Sequence, residues 1–332
     1  MAEMTEKVRF LILRFSSIGD IVLTTPVVRC LKQQMPEAEI HYITKPQFKS
    51  LLENNPYIDK VHILKESFTE TIQELKYEHF DYIIDLHRNI RTARIKNRLK
   101  IISFSFNKLN WEKWLLVNFK KNKLPDIHIV DRYLETLKIF DIVNDNKGLD
   151  YFIPPEDEVD PSSISDELKN GYVAVVVGAY HNTKKLTKNK IISICKKINA
   201  PVLLLGGPGD KQDGEEIKKA VAEKIYNACG NFSINQSASL VKQANLILTP
   251  DTGLMHIASA FKKKIISVWG NTVPEFGMYP YLPDPESEIM EIKGLSCRPC
   301  TKIGFKECPK KHFKCICDLD DNHIAQRINQ LF

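Results

Sequence analysis

Apolar and polar positions follow two alternating rhythms along the chain. Residues 8–15 (VRFLILRF) form an almost continuous apolar run, the pattern of a strand buried on both faces of a parallel sheet. A short loop, SSIGD, follows, and residues 21–34 then place apolar side chains at helical spacing. The runs at 39–43 (EIHYI) and 82–86 (YIIDL) read as further strands. The texture changes at 151–171, where proline pairs, acids and serines suit a domain linker. The alternation then restarts. It gives a strand at 172–177, a helix at 188–198, a strand at 201–205, an apolar run at 246–248, a helix at 254–261 and a strand at 264–269. Strands alternating with helices predict a doubly wound parallel sheet, and the interruption predicts two Rossmann-like α/β domains, 1–155 and 170–316. Residues 318–332 carry acids at the start and an apolar stripe of Ile324, Ile328 and Leu331, the pattern of a capped amphipathic helix.

Composition narrows the classes. The 332 residues include 14 glycines and 17 prolines, too few for a collagen-like or low-complexity chain, and 43% hydrophobic positions suffice for two cores. No apolar run approaches the ~20 residues of a membrane-spanning helix. The opening MAEMTEKVRFLILRF lacks the basic start, apolar centre and small-residue end of a signal peptide, which predicts a cytoplasmic protein. Charge is uneven. The whole chain carries +6, yet residues 86–123 hold eleven Lys or Arg and one acid, Glu112, interleaved with Phe104, Phe106, Trp111, Trp114 and Phe119. Such a segment suits an anionic partner: nucleic acid, an anionic membrane surface or a phosphorylated substrate. A solvated helix face with a few core aromatics is the plainer reading.

In doubly wound sheets ligands bind at the carboxyl ends of the strands, so the loops there carry the candidate chemistry. The first is Ser16–Ser17–Ile18–Gly19–Asp20, which delivers a carboxylate where a helix begins; Asp20 or Ser17 as a simple N-cap is the alternative. The second runs from Gly178 to Lys185 and offers Thr183, Lys184 and Lys185 to a phosphate, or two lysines to solvent. The third, Pro250–Asp251–Thr252–Gly253–Leu254–Met255–His256, opens a helix whose first N–H groups form an anion site. Neither a GxxxxGK[ST] loop nor a GxGxxG after the first strand is present, which disfavours an NTPase or an NAD enzyme. Of eight cysteines, Cys297, Cys300, Cys308, Cys315 and Cys317 cluster near the end with His312 among them. In a cytosolic chain that spacing suggests thiols or a structural zinc held by Cys297, Cys300, Cys308 and Cys315 rather than disulfides.

Three segments together resemble glycosyltransferase family 9, the heptosyltransferases of lipopolysaccharide core synthesis: ILRFSSIGDIVLTTPVVRCLKQQMPEAEIHYIT, LLLGGPGD and TPDTGLMHIASAFKKKIISVWGNT. The resemblance covers nearly the whole chain. It implies a GT-B fold, with an N-terminal acceptor domain and a C-terminal nucleotide-sugar domain facing across a cleft, and a C-terminal helix at 318–332 packing back on the first domain. It implies inverting transfer from ADP-heptose with Asp20 as the base and no required cofactor or metal. Thr183, Lys184, Asp251, Thr252, Gly253 and His256 match its donor-binding positions, and Leu186–Thr187 stand where the family commonly has Trp-Pro. Ser17, Gly19, Arg88, Arg91 and Arg94 are the candidate acceptor contacts. The implied partners are a nucleotide sugar, a lipid-linked anionic saccharide and the inner face of the inner membrane, on which the protein would be peripheral. Two other readings stay open: a GT-B enzyme using another nucleotide sugar, and an anion- or nucleic-acid-binding protein built on 86–123.

Overall fold

The apolar run at 8–15 supplies β1 (Arg9–Leu13), whose Phe10, Leu11, Ile12 and Leu13 are fully buried. The structure, a computed structural model, describes residues 7–332. β1 is the middle strand of a five-stranded, all-parallel sheet in the order β3–β2–β1–β4–β5, formed with β2 (Glu39–Thr44), β3 (Lys60–Ile63), β4 (Tyr82–Asp85) and β5 (Ile102–Ser105). The chain order reverses beside β1, so its carboxyl end is a switch point where a ligand site belongs.

The helix expected over 21–34 is two helices, α1 (Ile18–Val22) and α2 (Thr25–Gln34). The break has a local cause. Pro26 has no N–H to give Val22, and the Thr25 hydroxyl donates to the Val22 carbonyl instead at 2.8 Å, as Thr24 does to Ile21 at 2.7 Å. α3 (Phe68–Tyr77) and α4 (Ile90–Leu99) complete this unit's crossovers. α5 (Asn110–Phe119) belongs to the second unit, whereas α6 (Ile129–Leu134) returns to the first. The basic segment is therefore divided, and the first unit comprises residues 7–108 and 127–152 rather than one continuous stretch to 155. Within it, buried Arg29 on α2 pairs with both Asp145 and Asp150.

The second unit holds 109–126 and 153–332. Its six parallel strands are β6 (Val173–Val176), β7 (Val202–Leu205), β8 (Ile225–Asn227), β9 (Leu246–Pro250), β10 (Lys264–Trp269) and β11 (Glu288–Glu291), in the order β11–β10–β9–β6–β7–β8. β6 and β9 are neighbours at the reversal point. The helices are α7 (Lys188–Cys195), α8 (Lys211–Val221), α9 (Ile234–Gln243), α10 (Gly253–Ala260), α11 (Lys314–Cys317) and α12 (Asp321–Leu331). The stretch expected to act as a linker is fastened to this unit: the Val159 N–H donates to Ser239 Oγ on α9 at 3.0 Å, and Glu158 pairs with Lys242.

The C-terminal helix corrects an expectation. Asp320 caps α12, accepting from the Asn322 and His323 N–H groups. Its apolar stripe, Ile324, Ala325, Ile328 and Leu331, lies in the hydrophobic core of the second unit with Ile191 and Ile194 of α7, and Lys190 pairs with Asp321. Each large apolar side chain buried this way contributes ~1.5–3 kcal/mol. The stripe is thus fully used on the second sheet rather than on the first domain. Among the described residues no helix is long and apolar enough to cross a membrane.

Candidate active site

In the first unit the site grows from the end of β1. Arg14 follows the last strand residue and is 7% exposed. Its guanidinium donates to the Ser16 carbonyl at 2.9 Å, the Leu86 carbonyl at 2.5 Å and the Tyr133 hydroxyl at 2.9 Å, and its Nη2 lies 2.7 Å from Asp20 Oδ1. Burial works against the Arg14 charge, and the Asp20 carboxylate beside it more than compensates, so its pKa is raised. The other carboxylate oxygen of Asp20 accepts from Ser17 N at 3.1 Å and Ser17 Oγ at 2.8 Å. Asp20 therefore performs the capping role and is also aimed by an arginine, which a cap does not need. Gly19 is buried within α1.

His87 and Lys108 share this electrostatic neighbourhood. Burial, Arg14 and Lys108 push the His87 imidazole down to about 4, and burial and Arg14 lower Lys108. Asp85 is fully buried, pairs with Lys96 at 2.9 Å and accepts from the Arg88 N–H at 2.6 Å. The three candidate arginines separate. Arg88 stands at the β4 exit with Nη1 on the Phe106 carbonyl at 3.0 Å. Arg91 is exposed in the first turn of α4. Arg94 lies one turn further, its guanidinium 4.5 Å from the Phe68 ring centroid.

In the second unit the adjacency of β6 and β9 brings two motifs together. Lys184, from the loop after β6, places Nζ 2.6 Å from Asp251 Oδ2 after β9, and the Thr272 hydroxyl donates to the same oxygen at 3.1 Å. Asp251 stands just before the N-cap of α10, Thr252, whose hydroxyl is 3.2 Å from that of Thr249; Gly253 begins the helix and His256 is buried within it. Lys185 pairs with Asp210 at 2.7 Å, and Asp210 also accepts from Gly207 N. A Cβ on Gly178 would meet that Asp210 carboxylate at 2.1 Å, so a side chain at the exit of β6 would have to displace it from Lys185 and Gly207. Thr183 differs from expectation: it is buried, and its hydroxyl accepts from Phe305 N at 2.7 Å and donates to the Phe305 carbonyl at 3.1 Å. That occupies it in pinning the loop.

The proposed zinc ligands are neighbours: Cys297, Cys300 and Cys308 all act electrostatically on Cys315. Cys300 donates its thiol to the Cys297 carbonyl, and Cys297 Sγ is 3.8 Å from His312 Nε2. Burial, joined by the neighbouring cysteines of the cluster, pushes the Cys300 thiol up to about 11 and Cys315 up to about 12, and Cys315 lies in the core. Among the described residues no three of these side chains bring ligand atoms within 4.8 Å of one another. Cys297, Cys300, Cys308 and Cys315, the residues expected to hold a zinc, thus stand near one another without closing into a tight ligand cage.

Residues that sequence reasoning passed over include Arg14, Tyr133, His87, Thr272 and Asn271. Arg14 had a legible signal, a charge at the end of a buried apolar run. Asn271, in the turn after β10, is buried with neither side-chain amide atom partnered. Nothing in its sequence context marks it.

The chain matches the model of glycosyltransferase family 9 (heptosyltransferase) over residues 68–312. It is 24% identical to lipooligosaccharide heptosyltransferase 2 of Haemophilus influenzae over 351 residues, spanning 97% of this chain and 98% of that protein. It is 23% identical to lipopolysaccharide heptosyltransferase 1 of Campylobacter coli over 290 residues, spanning 79% and 83%. A family 9 glycosyl transferase from Veillonella parvula superposes with a TM-score of 0.76 at 19% identity, covering 100% of this chain and 99% of that one. The Escherichia coli ADP-heptose lps heptosyltransferase II gives 0.71 at 17% identity, covering 98% of each. The two parallel-sheet α/β units are thus the two domains of a GT-B fold. The chain belongs to glycosyltransferase family 9 and is a glycosyltransferase.

Proposed function

We propose that this glycosyltransferase moves a heptose from ADP-heptose, with inversion, to a hydroxyl of a lipopolysaccharide inner-core acceptor. The observation that carries the donor half is the convergence of Lys184 and Thr272 on Asp251 at the start of α10. A lysine ammonium and the first N–H groups of a helix suit a diphosphate, and both gain importance as the leaving nucleotide takes up negative charge. The relatives' names, heptosyltransferases of lipopolysaccharide and lipooligosaccharide, support the sugar and the acceptor.

Asp20 removes the acceptor hydroxyl proton as that oxygen attacks the anomeric carbon from the face opposite the nucleotide. Arg14 and Ser17 fix the orientation of the carboxylate. Lys184 supplies positive charge at the leaving group, so turnover needs no added divalent ion. Arg88 and Arg91 suit acceptor anions. The protein works at the cytoplasmic face of the inner membrane as a peripheral protein, because its acceptor is lipid-linked.

Thermal unfolding with ADP, UDP and GDP, without metal, tests the donor site in wild type and Lys184→Ala. ADP alone stabilises wild type, by ~2.7 kcal/mol at a hundred times its Kd, and the effect collapses in the variant. Indifference to all three nucleotides contradicts the donor reading. A UDP preference retains the fold and replaces the donor.

A further inference from the structure

A second cluster of titratable groups lies in the first unit, on residues that make none of the contacts described for Asp20. His41 on β2 and His62 on the neighbouring edge strand β3 are 1% and 2% exposed. His41 Nδ1 and His62 Nε2 face each other at 2.9 Å. The outer nitrogen of each ring meets a carboxylate: His41 Nε2 is 3.0 Å from Glu39 Oε1, and His62 Nδ1 is 3.0 Å from Glu74 Oε1. Glu78, immediately after α3, brings Oε2 to 3.9 Å from His41 Nδ1. One ligand atom from each of His41, His62 and Glu78 falls within 4.8 Å of the other two.

Proton bookkeeping makes this more than a cluster of acids. An ionised carboxylate only accepts, so Glu39 and Glu74 each draw the ring N–H outward. Both inner nitrogens of neutral rings then present lone pairs to each other at 2.9 Å, a repulsive arrangement unless a cation lies between them. Arg9, Lys65 and Lys60 already pair with Glu39, Glu74 and Glu78, so the carboxylates are balanced from outside and the facing nitrogens have only each other. Carboxylates behind metal-binding histidines fix the ring tautomer and raise ligand basicity in this same way.

We propose that His41 Nδ1, His62 Nε2 and the Glu78 carboxylate hold one divalent transition-metal ion of the zinc class. Two imidazoles and a carboxylate form a borderline donor set, and metal–nitrogen bonds of ~2.0–2.1 Å place tetrahedral ligands roughly 3.4 Å apart, between the 2.9 Å from His41 Nδ1 to His62 Nε2 and the 3.9 Å from His41 Nδ1 to Glu78 Oε2. The ion ties β2, the edge strand β3 and the end of α3 together. It is a structural ion and takes no part in the transfer.

The test is elemental analysis of the untagged full-length protein, followed by substitution with Co²⁺. One equivalent of metal per chain is expected, retained in the Cys300→Ser/Cys315→Ser double variant and lost in His62→Gln. The Co²⁺ protein shows visible ligand-field bands without near-ultraviolet thiolate charge transfer, a readout that needs no variant. Glu78→Gln, which removes the carboxylate ligand, keeps the fold and lowers metal affinity by at least the ~10–100-fold seen on losing a group that only supports a ligand. A folded wild-type chain that takes up under a tenth of an equivalent of Zn²⁺ or Co²⁺ overturns the proposal, leaving a shared proton between the rings. Metal that follows the cysteines and survives His62→Gln overturns it too.

Discussion

Arg14 shows how one residue turns a common helix-capping arrangement into a candidate catalytic group. A guanidinium at the end of a buried strand must find acceptors, and Arg14 finds the Ser16 and Leu86 carbonyls, the Tyr133 hydroxyl and Asp20. Asp20 itself was legible in the sequence because it stands in a loop at a strand end and in a recognisable motif. Its holder was not, since Tyr133 lies 119 positions from Arg14 and reaches it only in the folded domain. His87 belongs to the same cluster and sets a pH dependence. Its pKa falls from the ordinary value near 6.5 to about 4, with burial the leading cause. Above pH ~6.5 both folded and unfolded chains hold it neutral; below, the unfolded chain binds a proton that the folded chain refuses. The stability it contributes is therefore lost as pH falls from about 6.5 toward 4. Denaturant unfolding of wild type and His87→Gln across that window measures it, and the wild type loses the more stability on acidification. Parallel curves contradict a depressed His87.

Strands buried on both faces announce themselves as unbroken apolar runs, so β1, β2, β4, β6, β7 and β10 were readable. The edge strands β3, β5, β8 and β11 were not, because each is only partly buried and carries no unbroken apolar run; Ile102 of β5 is 63% exposed. Periodicity also continued across the Thr24–Thr25–Pro26 break, because both helices turn an apolar face inward and only hydrogen bonding separates them. For α12 the stripe was visible but its partner sheet was not, since an amphipathic face states that it is covered and never by what. α5 carries the element-scale prediction. Leu116 packs with Val273 and Phe276, while Trp111 and Trp114 stack at 4.9 Å and remain 65% and 40% exposed. Exposed Lys121 and Lys123 follow. An aromatic pair beside lysines suits an anionic lipid surface, each charge adding ~1 kcal/mol there. Vesicles containing anionic lipid should co-sediment the wild-type protein, with binding falling several-fold in Trp111→Ser/Trp114→Ser and in high salt. Equal binding to neutral vesicles, or an unaffected variant, contradicts it.

At the scale of the whole molecule, both domains use one device: a sheet whose strand order reverses puts its ligand loops at the carboxyl ends beside the reversal. In the first that places the loop after β1, and in the second the loops after β6 and β9, so Lys184 and Asp251 meet although 67 positions separate them. This arrangement follows from the alternating pattern and was legible. What pattern could not supply was the occupancy of particular hydroxyls and thiols, such as Thr183 held by Phe305 or Cys300 by Cys297, because those depend on loop geometry. The central claim is that Asp20 is the base for transfer from ADP-heptose. The most direct measurement is release of ADP and appearance of heptose on a lipopolysaccharide inner-core acceptor, with wild type and Asp20→Asn compared without added divalent metal. Wild type should transfer with inversion, and the variant should be slower by ~10²–10⁴-fold while keeping its stabilisation by ADP. A variant near the wild-type rate, or a wild type that moves no heptose from ADP-heptose, would contradict that claim.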